Sequence, residues 1–333
     1  MRILMIGGTS FVGRHIAQAA LDAGHEVTLF HRGRTGAGLF PGAVHLTGDR
    51  DHDLSALSEG QWDATVDVCG YFPRQVRGLA AVLDGRGGHY VFISSTSAYR
   101  TPVAPHFTED APLAGLADPD TEQITPQTYG GLKVLCERAA AELHGPATTI
   151  VRPTYVIGPY DRSYRFTWWV ERLARGGEVL APGEPEDPIQ VIDARDLGMW
   201  TCALAERGVA GTFHAASPAP PFGFGPLLEE IAAQVAPAGT KLTWLSRQYL
   251  LDAGEDDESL PLWPGGDSER DINAASPAAA VAAGLRWRPL RQSVAELHAY
   301  ERESPTPVPA GTGLTAEREA SLLAGWHAAS APA

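Results

Sequence analysis

Positive charge is in short supply in this chain. Its 26 lysines and arginines face 40 aspartates and glutamates, a formal net charge of −14. Nucleic-acid binding rests on neutralising phosphates with clustered basic groups, so this balance argues against a nucleic-acid partner. Cysteine is sparse too. Cys69, Cys136 and Cys202 are too few and too scattered for a disulfide framework or a zinc site. They read as reduced, buried thiols, and no metal is expected. No apolar run approaches the ~20 residues that span a bilayer, and the opening MRILMIGG holds too short an apolar stretch for a signal peptide. A soluble, cytoplasmic protein without membrane contact is the expectation.

What is present is ordinary globular composition, 44% hydrophobic and 20% charged over 333 residues, enough for one large or two modest domains. Over the first 150 or so positions, short β-branched runs (RILMI, VTLF, AVHL, ATVDV, YVFIS, TTIVR) alternate with stretches of helical period such as FVGRHIAQAALDAG, DLSALS and PRQVRGLAAVLDG. That alternation predicts a doubly wound α/β fold: a parallel sheet with helices on both faces. After Arg152 the pattern becomes rich in Pro and Gly, with a helix near RFTWWVERLARG, a segment DARDLGMWTCALAERG that returns to the sheet, and C-terminal amphipathic helices. The division that follows is a nucleotide-binding domain over 1–155, joined by 189–207, and a smaller substrate-binding part over 156–188 and 208–333. There is no internal repeat.

GGTSFVG, Gly7 to Gly13, follows the first predicted strand and precedes the first predicted helix. Glycines there permit a tight turn and close approach of a pyrophosphate to the helix N-terminus. Ser10 stands where such loops often carry their middle glycine. The second strand ends in LFHRGRT, with Arg32 and Arg34 and no acid for ribose hydroxyls. Guanidinium groups suit a 2′-phosphate, which favours NADP(H) over NAD(H); arginines in such a place also serve as solvated surface. Asp49, in GDRDHDL, either accepts from an adenine amino group or caps a helix starting near Asp53.

Tyr129 and Lys133, in TYGGLK, are one helical turn apart and share a face. A tyrosine with an ordinary pKa near 10 needs a neighbouring positive charge to act as a base at neutral pH, and Lys133 is placed to supply one. Ser95, at the strand end VFISSTSAY, could orient a substrate carbonyl or hydroxyl beside it. Gly130 and Gly131 cost about 1 kcal/mol each in a helix interior, and are expected to give clearance to a neighbouring strand or a subunit helix.

Taken together, GGTSFVG, SSTSAY, YGGLK and RPTYVIGP make the sequence resemble the extended short-chain dehydrogenase/reductases, in the NAD-dependent epimerase/dehydratase branch. The resemblance implies a Rossmann sheet, with Tyr129 as acid/base, Lys133 binding the nicotinamide ribose and lowering the tyrosine pKa, and Ser95 polarising the substrate. It also implies cofactor contacts from Phe11, Val12, Ser94 and Pro153. Two departures narrow the chemistry. Thr96 and Ser97 stand where family dehydratases have an Asp-Glu pair, and Glu186 stands where nucleotide-sugar epimerases have a phosphate-pairing arginine. Arg162, Arg165, Trp168 and Trp169 are candidates to hold an anionic or ring-bearing substrate, the tryptophans alternatively being core.

The leading expectation is an NADP(H)-dependent carbonyl reductase or alcohol dehydrogenase acting on a small molecule. An epimerase of a sugar-like substrate and a catalytically silent nucleotide-binding module are the alternatives. Either a monomer or a homodimer is compatible with the sequence.

Overall fold

A computed structural model describes residues 1–36, 38–263 and 270–330. Its main sheet is built from β1 (Arg2–Ile6), β2 (Glu26–His31), β3 (Val44–Thr47), β4 (Ala64–Asp67), β5 (His89–Ile93), β6 (Thr148–Pro153) and β10 (Gly211–Ala215). The spatial order is β3-β2-β1-β4-β5-β6-β10, and every pairing is parallel. Parallel strands are covered on both faces, which is why β4 and β6 are buried at every position.

Alternate residues of each strand point to opposite faces. On one face Ile3, Met5, Val66 and Val91 pack against α1 (Phe11–Asp22) and α5 (Ala194–Arg207). On the other, Leu4, Ile6, Tyr90 and Phe92 pack against α2 (Pro73–Leu83) and α3 (Pro126–His144). The stretch DLSALS, read as helical, forms only a single turn of 3₁₀-helix at Ser55–Leu57. Its apolar positions are too few to carry a longer amphipathic face.

The segment that returns to the main sheet runs further than 189–207. It continues through β10, which adds a seventh strand beside β6. The helix α8 (Ala278–Ala282) also returns, with Ala280 and Leu285 buried in the same core as α5. What remains is a lobe of two small parallel pairs, β7 (Tyr155–Ile157) with β9 (Val191–Asp193) and β8 (Glu178–Pro182) with β11 (Lys241–Leu245). Around them lie α4 (Arg165–Ala174), α6 (Phe224–Val235), α7 (Arg247–Asp252), α9 (Leu290–Glu303) and α10 (Ala316–Ser330). The lobe has its own core, with Trp169, Phe224 and Trp263 fully enclosed. Among the described residues no helix is long and apolar enough to cross a membrane.

Candidate active site

The strand order reverses between β1 and β4, and the carboxyl edge of the sheet opens there into a cleft of about 420 Å³. Its floor is the Gly7–Gly13 loop. Gly7 and Gly8 take φ of +107° and +98°, a region side chains rarely adopt. A Cβ on Gly13 would lie 2.7 Å from the Gly8 nitrogen, so α1 rests directly on the loop. Ser10, Phe11 and Val12 line the cleft at the helix start, and the Ser10 side chain makes no capping bond. The uncapped first turn leaves backbone N–H groups available to an anion.

At the far end of the cleft stand His31, Arg32 and Arg34, both arginines being exposed. Asp49 also lines the cleft, and its carboxylate accepts the N–H of Asp51 at 3.1 Å. Asp49 caps no helix; Asp53 accepts from the Ser55 N–H at 2.9 Å, just ahead of the 3₁₀ turn, whose N-cap position is Leu54 and has no side-chain cap. On the side wall, Arg50 makes two bonds to Asp67, at 2.7 and 2.9 Å, and its Nε is buried without a partner. A bare glycine cradle and a helix N-terminus together fit the pyrophosphate of a dinucleotide, with two exposed arginines at the far end and an orphaned guanidinium N–H in the wall.

The catalytic candidates converge next to this cleft. The helix α3 begins with a capping box: Thr125 accepts from the Thr128 N–H at 3.2 Å, and the Thr128 hydroxyl accepts from the Thr125 N–H at 2.9 Å. Pro126 occupies the first helical position, where a missing N–H costs nothing. Tyr129 therefore lies in the first turn of α3, hydrogen-bonded to Ser95 at the end of β5. The Ser95 hydroxyl donates to Ser97 Oγ at 3.1 Å and accepts from the Ser97 N–H, which fixes its orientation.

Burial pushes the Tyr129 phenol up to about 12, with the Tyr71 phenol adding to the shift and the Ser95 bond opposing it. This corrects the expectation that Lys133 lowers the tyrosine pKa. Lys133 is buried, and its ammonium donates to the carbonyls of Gly70 at 3.0 Å and Ile93 at 2.7 Å. It also lies 4.4 Å from the centre of the Phe92 ring. Desolvation lowers its pKa, opposed by charges on Cys136, Asp67 and Glu137.

Gly130 and Gly131 prove to be clearance, though not for a strand or a subunit helix. A Cβ on Gly130 would overlap the carbonyl oxygen of Ser97, and one on Gly131 would meet the Leu116 side chain at 2.5 Å and the Gly115 carbonyl at 3.0 Å. The loop that follows Ser95 thus lies directly on α3, which is what brings serine and tyrosine together. Gly130→Ala is expected to destabilise the protein by about 1–3 kcal/mol through overpacking against backbone, and to disturb any activity by displacing Ser95. Thermal unfolding compared with Gly78→Ala, in the interior of α2, where the added Cβ meets only Leu54 Cδ1 at an ordinary 3.6 Å, separates this clash from loss of glycine flexibility.

Other expected contacts are placed differently. Ser94 is buried and its hydroxyl donates to Glu137 at 2.5 Å, away from a cofactor role. Glu137 is in turn held by Arg152 through bonds of 2.9 and 2.6 Å. Pro153 ends β6, and its carbonyl accepts from Thr96 Oγ1 at 3.4 Å. Arg165 is exposed at the start of α4, stacks 4.9 Å from the Tyr155 ring, and its charge acts on Tyr129. Arg162 is exposed on the loop before it. Trp168 and Trp169 are core: Trp169 has no exposed surface and donates to the Pro261 carbonyl at 2.6 Å, while Trp168 packs edge-on against it. They support the lobe and do not wall a cleft.

Sequence reasoning passed over the Arg50, Asp67 and Tyr90 cluster. Asp67 is fully buried at the end of β4, and besides Arg50 it accepts from the Tyr90 hydroxyl at 2.8 Å and the Cys69 N–H at 3.1 Å. An aspartate inside the apolar run ATVDV was the available signal, since a charge is buried only when paired.

Comparison with known proteins agrees with this architecture. No family model matches the sequence. Over 213 residues the chain is 29% identical to the chloroplast stem-loop binding protein of 41 kDa b from Arabidopsis thaliana, covering 59% of this chain and 53% of that one. Over 170 residues it is 25% identical to a UDP-glucose 4-epimerase from Neisseria meningitidis, covering 42% and 48%. The chain thus spans about half the length of the curated relatives it matches.

Solved structures align along nearly the whole chain. A putative epimerase from Burkholderia cenocepacia superposes with a TM-score of 0.67 at 20% identity, over 91% of this chain and 98% of that one. The Bordetella bronchiseptica enzyme WbmH, solved with NAD+, gives 0.67 at 16% identity over 91% and 99%. A UDP-N-acetylglucosamine 4-epimerase from Bacillus cereus gives 0.66 at 15% identity over 93% and 99%. The resemblance read from the motifs is in keeping with this: the chain has the fold of these epimerase structures.

Proposed function

We propose that the protein is an NADP(H)-dependent oxidoreductase that reduces a carbonyl, or oxidises the corresponding alcohol, on a small molecule. The observation that carries this reading is the approach of Ser95 to Tyr129, with Lys133 one turn further along α3, beside a glycine-floored cleft that ends in two exposed arginines. Arg32 and Arg34 would hold the 2′-phosphate, the Gly7–Gly13 loop the pyrophosphate, and Lys133 the ribose next to the reacting ring. When bound, the nicotinamide supplies or accepts the hydride. The chain's part is to bind and orient. Ser95 holds the substrate oxygen, Tyr129 donates its proton to that oxygen on reduction or removes it on oxidation, and Arg165 fixes an anionic or polar group of the substrate near the tyrosine.

Replacing Arg32 and Arg34 together by alanine should raise the KM for NADPH about tenfold or more, the usual worth of charge-assisted phosphate contacts, and leave the KM for NADH unchanged. Steady-state assays with each reduced cofactor check this; an unsubstituted chain that prefers NADH defeats the NADP reading.

Two further readings each have an observation behind them. Sequence likeness to a UDP-glucose 4-epimerase supports an epimerase that oxidises and re-reduces one carbinol with the cofactor retained. Glu186 is exposed in the loop between β8 and β9 and would repel a diphosphate there, which weighs against a nucleotide-sugar substrate. Stereochemical inversion without net NADPH consumption would decide for it. Likeness to a stem-loop binding protein supports a silent binding module, against which stand the net charge of −14 and the assembled Ser95–Tyr129 pair. Tight binding of a structured RNA, undiminished by Tyr129→Phe and with no turnover on a carbonyl panel, would favour it.

A further inference from the structure

Two histidines meet at the arginine end of the cleft. His31 closes β2 and His45 lies on β3, with Leu29 paired to His45 and His31 paired to Thr47. The two are therefore diagonal neighbours on one face of adjacent strands, within reach of long side chains. Their rings stand nearly perpendicular, 80° apart, with centres separated by 5.1 Å. His31 Nε2 and His45 Nδ1 are 2.8 Å apart. The remaining nitrogen of each ring is also engaged: His31 Nδ1 with the Gly33 N–H at 3.0 Å, and His45 Nε2 with the Phe40 carbonyl at 3.2 Å.

These three contacts allow a single assignment of protons. The Gly33 N–H can only donate, so His31 Nδ1 must carry a lone pair. The Phe40 carbonyl can only accept, so His45 Nε2 must carry a proton. A neutral His31 then has its proton on Nε2 and donates it to the bare Nδ1 of His45. Any extra proton breaks a link, either the Gly33 bond or the bond between the rings. Burial, with His45 nearby, lowers the His31 pKa in keeping with a neutral ring. The chain runs without a gap from Gly33 through both imidazoles to Phe40, and Gly33 is the centre of Arg32-Gly33-Arg34.

We propose that the His31–His45 pair is a positioning relay that holds the Arg32-Gly33-Arg34 turn for a ligand bearing a ribose 2′-phosphate, His45 acting as a specificity-determining residue although it touches no ligand. This rests on the NADP(H) reading above. The two guanidinium groups are exposed and make no hydrogen bond or ion pair among the described residues, while the Gly33 N–H between them ties their backbone to His31. His31 does not bind the phosphate itself, because both of its nitrogens are occupied. Losing the acceptor on His45 releases the His31 ring and with it the Gly33 N–H. Recognition of the 2′-phosphate should weaken while the adenosine and pyrophosphate contacts, made by other loops, remain.

Isothermal titration with 2′,5′-ADP and with 5′-AMP, which differ by the 2′-phosphate alone, tests this on the full chain. The unsubstituted protein should bind 2′,5′-ADP about tenfold or more tightly than AMP. In His45→Leu that ratio should fall about fivefold with AMP affinity retained, which also reports that the variant is folded. In His45→Asn, whose amide oxygen can still accept from His31, the ratio should stay near the original. Preserved discrimination in His45→Leu overturns the relay, as does equal loss in His45→Leu and His45→Asn. Absence of any preference in the unsubstituted chain overturns the NADP(H) reading itself, and the relay with it.

Discussion

Tyr129→Phe should lower turnover by about 10²–10⁴-fold, the range for losing a positioned acid or base, and leave cofactor affinity nearly unchanged. The phenol is held at the first turn of α3 by a capping box and bonded to an oriented Ser95. Removing one oxygen leaves packing intact and deletes the proton that a developing alkoxide needs. Burial keeps this phenol protonated, at about 12, throughout the neutral range. A neutral phenol is the form required for reduction, so the reductive rate should be flat between roughly pH 6 and 9. Oxidation needs the phenolate, so its rate should rise with pH over the same span. Cofactor titration by fluorescence and initial rates in both directions check the pair of expectations. A reductive rate that falls across neutral pH would mean that a different group, of lower pKa, delivers the proton.

Asp67→Asn is expected to cost about 3–5 kcal/mol of stability, as does breaking a buried ion pair from one side. The carboxylate has no exposure and accepts from Arg50, Tyr90 and the Cys69 backbone. The amide keeps the shape and removes the charge, so the Arg50 guanidinium, 8% exposed, is left without its counter-charge in the wall of the cleft. Adding Arg50→Met should restore much of the loss, because an apolar replacement of both partners leaves no orphaned charge. Urea unfolding of the two variants measures both effects.

The same pair makes a statement about acid. Desolvation alone would raise the Asp67 pKa, but the charge and hydrogen bonds of Arg50, together with Tyr90 and Cys69, outweigh it and leave the pKa below the ordinary 3.8. A carboxylate with a depressed folded-state pKa adds stability that is fully present above its unfolded value. That contribution is lost as pH falls below 3.8 toward the folded value. The unsubstituted protein should therefore lose stability in that acid window, and Asp67→Asn should lose less there.

Local order was open to reading in the residues themselves. A glycine loop between a strand and a helix, arginines at the end of β2, and Tyr129 and Lys133 one turn apart are each contained within a single stretch, where backbone periodicity alone decides which side chains share a face. The succession of short β-branched runs and helical periods likewise sufficed for a parallel sheet covered on both sides.

Tertiary structure decided what meets across elements. Arg50 and Asp67 are joined because β4 runs beside β1, and His31 reaches His45 because the β2–β3 register makes them diagonal neighbours. Trp168 and Trp169 turned inward because α4 packs in the lobe core. Ser94 turned from the cleft to Glu137, and β10 joined the sheet. None of these is set by local spacing, since register and packing partner depend on the summed burial of many side chains. Gly130 and Gly131 show the division most plainly. Their low helix propensity is visible in TYGGLK, but only the Ser97 carbonyl lying against α3 explains why no larger residue fits there.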